Sequence, residues 1–553
     1  MRLFLSILLI CFGYAFANAQ TDYHFFVQFE DKGLNYVDIS KPELFLSQRS
    51  IERRERLNIP IDSADLPVTK AYITNITKPS LHVRYVSKWL NGAVITTQSM
   101  DTAWQLKIKF FVKDVVYLGK SARATGINGR QAESDAKMDY GKGLNQLELN
   151  NGTSLHNAGY QGQNMVIAVF DAGFRKANEL SLFKPLFDRN GVIYTNDLVD
   201  LETSVYDDDD HGLHVLGILT ANKPSTFIGS APEANYVLIR TESNYYETWL
   251  EELNWVRAAE IADSLGVDVI NSSLGYNKFD EERLNHTHEQ LDGKTAYISR
   301  GAAYAASRGM FVVSSAGNDG NKSWGKLDFP ADVEEILVVG AVDNSLEPTK
   351  FSSPGPTADL RLKPDVTALG KNTRIATTYG NGTGNGTSYS APIITGLSAC
   401  LWQANTSLTP DQLKRIIIQS SHLSLHPDYL SGNGAPNFKL ALIMTGADKQ
   451  FDYSKASVVD IDSSKFKRDM SITIFAPNQS YVSCKVRIKK RFLFFKYLKT
   501  KWTYDAEVFE SNFAKIGISL STLPAEKPVV LEFYSENKEG KITMISKHQG
   551  IVQ

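Results

Sequence analysis

Asn385-Gly386-Thr387-Ser388-Tyr389-Ser390-Ala391-Pro392 runs directly into Ile393-Ile394-Thr395-Gly396-Leu397-Ser398-Ala399-Cys400-Leu401-Trp402. The second stretch is apolar or small on nearly every side, and a helix of that kind belongs in a protein interior. Proline disturbs a helix unless it sits in the first turn, where no intrahelical N–H is lost. The pattern therefore predicts a buried helix that starts just before Ser388, with Pro392 in its opening turn. Unpaired N–H groups and the positive end of the helix dipole would face any negative charge forming beside that serine. A Gly/Ser loop that only caps a core helix has the same sequence signature. Partners elsewhere in the chain decide between the two.

Those partners follow candidate strands. Short apolar runs at 165–170, 236–239, 267–270, 310–313 and 336–339 are separated by helix-like stretches such as 249–265 and 299–307. Near-continuous apolar strands alternating with helices predict a parallel α/β sheet covered on both faces. Ligands bind such sheets beyond the carboxyl ends of the strands. Asp171 directly follows the first run, and His211 opens the helix-like stretch His211-Gly212-Leu213-His214-Val215-Leu216-Gly217. Asn318 lies in Ala316-Gly317-Asn318 just after the fourth run, where a side-chain amide could donate to an oxyanion. Singly, each is as readily a turn or cap residue. Together they supply a nucleophile, a base, an orienting acid and an oxyanion donor at one sheet edge. His211 and His214 are three residues apart, but no Glu stands between them as in H-E-x-x-H, and no cysteine lies at ligand spacing, so no metal ligand is assigned. Asp207 to Asp210 immediately precede His211. Their charge is expected to favour a protonated imidazole and push activity toward alkaline pH.

In order and in local motif these residues resemble the subtilases, the subtilisin-like serine proteases. The resemblance rests on Val169-Phe170-Asp171-Ala172-Gly173, His211-Gly212-Leu213-His214-Val215, Ala316-Gly317-Asn318 and Gly386-Thr387-Ser388-Tyr389-Ser390-Ala391-Pro392, and it covers about 144–442. It implies an Asp171–His211–Ser388 triad with Asn318 as oxyanion donor. It also implies that Ser272-Ser273-Leu274-Gly275 pairs with the substrate backbone, so that Ser273, Leu274 and Gly275 line the pocket for the residue before the cut. Lys363-Pro364-Asp365-Val366 is a further landmark. The family's chemistry requires no cofactor; the loop at 221–231 does not match its calcium loop, which leaves structural calcium open. Ala172 replaces the usual Ser or Thr, Leu213 a Thr and Leu369 a Pro, and none of these removes a reacting group. An esterase of the α/β-hydrolase type fits less well, because Asp and His precede Ser and no G-x-S-x-G surrounds Ser388. A non-catalytic scaffold of the same fold is the other alternative.

At 553 residues the chain is too long for one core. Arg2, the apolar run 3–16 and Ala17-Asn18-Ala19 read as a secretory signal peptide over 1–19. Ile10 before Cys11 is too bulky for a lipoprotein cleavage site, and no other segment reads as a membrane span. Export without a disulfide framework follows from the two cysteines left after cleavage, Cys400 and Cys484. Residues 20–120 alternate as a small α+β unit of the split β-α-β kind. The resemblance gives that unit the role of a folding-assisting, inhibitory propeptide. Residues 121–143 are polar and basic in patches and read as a linker with a processing site. The catalytic domain then spans 144–445, and 446–553 reads as a small β-rich domain. A net charge of −2 gives no reason to expect nucleic acid; the lysine-rich strip at 489–501 is expected to guard a sheet edge. The expected partners are protein or peptide substrates and the chain's own propeptide.

Overall fold

The computed structural model describes residues 21–34, 37–121, 140–459, 465–466, 469–492, 495–508 and 512–552. The signal peptide expected at 1–19 and most of the linker expected at 121–143 lie outside them.

Seven strands form the central sheet, in the order Val366–Leu369, Leu337–Val342, Phe311–Ser315, Val269–Ser272, Val166–Asp171, Asn235–Arg240 and Val192–Asp197. Every pairing in it is parallel. Five of these strands match the apolar runs. The two edge strands were not read from sequence: Val192–Asp197 is half exposed and polar, and Val366–Leu369 is only four residues long. Along Val166–Asp171 successive side chains enter opposite cores, as the period of two demands. Ile167 and Val169 pack with Leu213, Leu216, Ile393 and Leu397. Ala168 and Phe170 pack with Leu253, Trp255 and Ala302 on the other face. The helices His211–Thr220 and Thr387–Ala404 thus cover one face, and Trp249–Leu265 and Tyr297–Ser307 the other. Register sets Asp171 opposite Arg240, Phe170 opposite Ser272, and Ser272 opposite Ser314, so the carboxyl ends of four strands meet at one edge.

The N-terminal unit is a four-stranded antiparallel sheet, ordered His82–Ser87, Gly92–Thr97, Asp22–Phe29, Val112–Ser121. The strongly charged stretch 43–57 reads in sequence as one helix; it folds instead as a short turn, Pro42–Leu44, and a helix, Gln48–Arg56. The break comes at Ser47, whose hydroxyl accepts from Ser50 N at 3.2 Å and caps the second segment. The helix Lys70–Ile76 was not anticipated; its β-branched residues blur the helical period. Phe25, Phe26 and Trp89 share one apolar core with Trp255 and Ala302, so this sheet lies on the two outer helices of the central unit. Polar groups lock the contact. Tyr85 Oη donates to Asn254 at 2.6 Å and Ser87 Oγ to Glu260 at 2.6 Å. Asp263 holds Arg53 at 2.6 Å, Arg54 at 2.9 Å and Lys88 at 3.2 Å.

Beyond the central unit, a three-stranded and a five-stranded sheet enclose Ile472, Ile474, Val482, Cys484, Leu531 and Phe533. Lys515 reaches back from this unit to the carbonyls of Gln419 (2.9 Å) and Ser421 (2.7 Å). Those groups end the helix Pro410–Ser420, so a cation sits on unpaired carbonyls at the negative pole of the dipole. The strand Phe495–Glu507, carrying Lys499 and Lys501, is an edge of the five-stranded sheet. The side chains of Lys489, Lys490, Arg491 and Lys496 are outside the described residues. Cys400 and Cys484 are separate buried thiols. Among the described residues, no helix is long and apolar enough to cross a membrane.

Candidate active site

Asp171 ends its strand wholly buried, and His211 begins the helix His211–Thr220; His211 Nδ1 lies 2.7 Å from Asp171 Oδ1. An ionised carboxylate only accepts, so the Nδ1 position carries the proton and the neutral ring presents Nε2 as a base. Asp171 Oδ1 also accepts from Ala172 N at 2.9 Å. Its other oxygen is buried and accepts no hydrogen bond among the described residues.

Ser388 is the second residue of the buried helix Thr387–Ala404 and is 9% exposed. The sequence expectation for Pro392 is corrected here, because Pro392 lies inside the helix and not in its first turn. Without an N–H, Pro392 leaves the carbonyl four residues back, that of Ser388, without its helical donor. Ser273 Oγ takes its place, donating to Ser388 O at 2.9 Å. Asn271 Nδ2 donates in turn to Ser273 Oγ (3.0 Å), and Thr395 Oγ1 to Asn271 Oδ1 (2.9 Å). A buried polar chain from the strand Val269–Ser272 therefore repairs the helix at the residue that carries the candidate nucleophile.

Asn318 follows the strand Phe311–Ser315 and accepts through Oδ1 from Thr387 N at 2.9 Å. With its oxygen fixed there, the amide NH₂ is the end left to donate. Neither that amide nor the Ser388 N–H has an acceptor among the described residues. Ser388, His211, Asn318 and Ser273–Gly275 all line one cleft of about 490 Å³. No hydrogen bond joins the Ser388 hydroxyl to the His211 ring in this structure.

Burial disfavours a charged His211, but the Asp171 charge and hydrogen bond, with Glu242 and Asp209 beyond, outweigh it and raise the ring to about 9. The direction matches the alkaline expectation; the source differs in part. Asp208 pairs with Arg240 at 3.2 Å and Asp207 accepts from Ser204 at 2.7 Å, so neither is spent on the imidazole. Asp209 and Glu242 act on the ring instead. Sequence reasoning did not reach Glu242; it lies two residues beyond the strand Asn235–Arg240, at the same sheet edge as Asp171, and the only signal is that position. Neighbouring His214 is driven down by burial first, then held against Asp210 and His211.

Asp197, Asp200 and Asp208 lie close enough together to offer an ion three carboxylate ligands. A guanidinium already sits among them: Arg240 Nη1 is 2.8, 2.7 and 3.2 Å from the three. Arg240 Nε donates to Ala172 O at 3.0 Å, which ties this acidic group to the backbone beside Asp171.

Acyl transfer by an activated serine is the chemistry that this edge of the sheet can support, which puts the chain among the serine hydrolases. It belongs to the subtilase family, the subtilisin-like serine endopeptidases: the profile described as Subtilase family (peptidase S8) matches residues 162–438. A second profile, described as Peptidase S8 propeptide domain, Bacteroidota, matches residues 24–136, so the chain carries a propeptide domain. It is 29% identical over 288 residues to the serine protease AprX of Bacillus subtilis (strain 168), covering 46% of this chain and 61% of AprX. To subtilisin E of the same organism it is 30% identical over 306 residues, 54% of this chain and 70% of the other. Among solved structures it is similar to MycP1 from Mycobacterium smegmatis, at 21% identity and a TM-score of 0.43, over 54% of this chain and 84% of that one.

Proposed function

We propose that the chain is an exported endopeptidase made as a zymogen, with Ser388 as nucleophile, His211 as general base and acid, and Asp171 as the residue that orients and charges His211. The observation that carries this reading is the 2.7 Å Asp171–His211 bond on the wall of the cleft that Ser388 also lines. Ser388 Oγ attacks the peptide carbonyl while His211 Nε2 takes its proton, and Asp171 steadies the imidazolium that results. The carbonyl oxygen becomes an oxyanion held by the Asn318 amide and the Ser388 N–H. His211 then returns the proton to the departing amine, leaving an acyl-enzyme on Ser388. Water deprotonated by His211 frees the acid product. The hydroxyl–imidazole contact forms as substrate enters, since catalytic hydrogen bonds tighten in the substrate complex.

In the same reading, 1–19 direct export, 20–120 act as intramolecular inhibitor and folding aid, and the linker 121–143 is cut by the enzyme itself. Residues 144–445 form the catalytic domain, and Ser273, Leu274 and Gly275 align the substrate. No cofactor enters the chemistry. The test is Ser388→Ala in the full chain. It is expected to accumulate as uncut precursor and to lose labelling by a fluorophosphonate, which wild type retains. Normal processing of Ser388→Ala would count against self-cleavage, and an unlabelled wild-type chain would favour the non-catalytic scaffold.

A further inference from the structure

The charge of the cleft is lopsided. Asp209, Glu242, Glu247, Asp319 and Asp328 line it, against Lys278 and Lys322. Both lysines are engaged: Lys322 Nζ is 2.6 Å from Asp319, and Lys278 Nζ donates to Ser323 Oγ at 3.0 Å. Asp209 is used internally, accepting from His211 N at 2.7 Å and from the Asn244 amide. No ion pair within the described residues reaches Glu242, Glu247 or Asp328. Burial first, and neighbouring carboxylates after it, raise Glu242 to about 8 and Glu247 to about 7; burial raises Asp328 to about 7 against a hydrogen bond from the Asn277 amide, with Asp319 adding to the rise. Carboxylates in that condition gain most from a cation brought to them.

Two of the three stand where a bound peptide must pass. Asp328 is 7% exposed and fills the gap between the segments Ser273–Gly275 and Ser315–Asn318. A Cβ at Gly275 would lie 2.7 Å from Asp328 Cβ, and one at Gly317, where φ is +104°, would lie 2.1 Å from Asp328 Oδ2. Those glycines let the carboxyl come right up to the pocket walls. With the scissile carbon at Ser388 and its oxygen at Asn318, the side chain before the cut enters between these segments. Glu242 lines the cleft toward His211, near enough to raise its ring, and accepts from Tyr276 Oη at 3.1 Å. An extended peptide turns successive side chains to opposite sides about 3.3 Å apart. Consecutive residues thus meet Asp328 and then Glu242.

We propose that the acyl side of this cleft selects lysine or arginine, with Asp328 closing the pocket for the residue before the scissile bond and Glu242 facing the residue before that. The inference rests on the endopeptidase reading. The chain's own linker offers a basic residue for the position before the cut in Arg123, Arg130 and Lys137, with Ala122, Gly129 and Ala136 one position earlier.

The test takes the self-processed full chain, sequences its new N-terminus, and profiles it with a peptide library varied at the two positions before the cut. We expect a cut after one of those linker residues. We also expect kcat/KM for Lys or Arg before the cut to exceed that for Leu or Phe on the order of 10- to 100-fold. Asp328→Asn should collapse that ratio, and Glu242→Gln should collapse the corresponding ratio one position earlier. A wild-type profile dominated by Leu or Phe, with no gain from a basic residue at either position, would overturn the inference and leave the protease reading intact. If the processed chain cleaves no library peptide and takes no fluorophosphonate, the protease reading itself fails, and this inference with it.

Discussion

Asp263 offers the sharpest test of how the propeptide domain is held. It is fully buried and faces three cations of the N-terminal unit, Arg53, Arg54 and Lys88, at 2.6, 2.9 and 3.2 Å. Replaced by Ala, it leaves them unequally. Arg54 keeps Asp65 at 2.9 Å, and Lys88 keeps the Ser264 hydroxyl at 3.3 Å. Among the described residues Arg53 has no second carboxylate at ion-pair distance, and it is left a buried charge without its pair. Breaking a buried pair from one side costs about 3–5 kcal/mol. At about 1.4 kcal/mol per factor of ten, the propeptide should bind roughly 10²- to 4 × 10³-fold more weakly. The catalytic domain should not share the loss. Asp263 lies in the last turn of the helix Trp249–Leu265, where the dipole disfavours a negative charge by about 0.3–1 kcal/mol. Asp263→Ala is therefore expected to raise the inhibition constant of added propeptide while leaving the mature domain as stable as before or slightly more so. The assay is inhibition of peptide hydrolysis by purified propeptide, with denaturant unfolding of the mature domain as control. An inhibition constant within threefold of wild type would refute the assignment of Asp263 as anchor.

Ser273→Ala removes the donor that replaces the missing Pro392 N–H, leaving the Ser388 carbonyl buried and unsatisfied. The expected loss is about 1–3 kcal/mol, read as a lower denaturant midpoint in an inactive Ser388→Ala background that prevents autolysis; an unchanged midpoint would contradict it. The pH dependence follows from His211, which must be neutral to act as base and is raised to about 9. The groups facing it are Asp171, Asp209 and Glu242 with negative charge, His214, and the Tyr389 ring. The acid limb of kcat/KM is expected near pH 9, and Glu242→Gln should move it to lower pH, because one charge that favours the imidazolium is gone. The stability His211 contributes should be fully present below pH 6.5 and fade as pH rises through about 9. A limb near 6.5 in wild type, or one that moves up in Glu242→Gln, would refute this. A substrate with no basic residue keeps the profile free of the selectivity proposed for Glu242.

The central sheet was legible in sequence because its inner strands are buried on both faces and read as unbroken apolar runs. The stretches 249–265 and 410–420 both read in sequence as helices and fold as Trp249–Leu265 and Pro410–Ser420, each preceded by a threonine with a glutamate or glutamine three positions on. The edge strand Val192–Asp197 was not, because half of it faces solvent. Asp171, His211, Asn318 and Ser388 could be named because each follows a strand or opens a helix within a recognisable motif. Arg240, Asp328 and Glu242 stand in no motif, and their importance comes from what folding brings to them. Arg240 is an ordinary strand-end residue until Asp197, Asp200 and Asp208 gather on it. Lys363-Pro364-Asp365-Val366 was read only as a landmark. In the fold Lys363 and Asp365 form a buried pair at 2.7 Å, and Asp365 accepts from Val338 N at 2.7 Å, which ties the two strands at that end of the sheet.

The departure at Ala172 ties several of these observations together. A hydroxyl at that position would stand next to Asp171; Ala172 has none, and Asp171 Oδ2 accepts nothing among the described residues. The carboxylate is therefore stabilised by the Ala172 N–H and by His211, both on Oδ1. A buried carboxylate with few donors holds more firmly the one that carries positive charge. The missing hydroxyl and the raised imidazole thus work in the same direction. Arg240 does not offset this, because its Nε goes to the Ala172 carbonyl and its charge to the three acids beyond. It fixes the backbone next to Asp171 while its positive charge is spent on the aspartates of the neighbouring loops. The site is thereby built to favour the imidazolium that forms during acyl transfer, and the cost is a smaller share of free base at neutral pH.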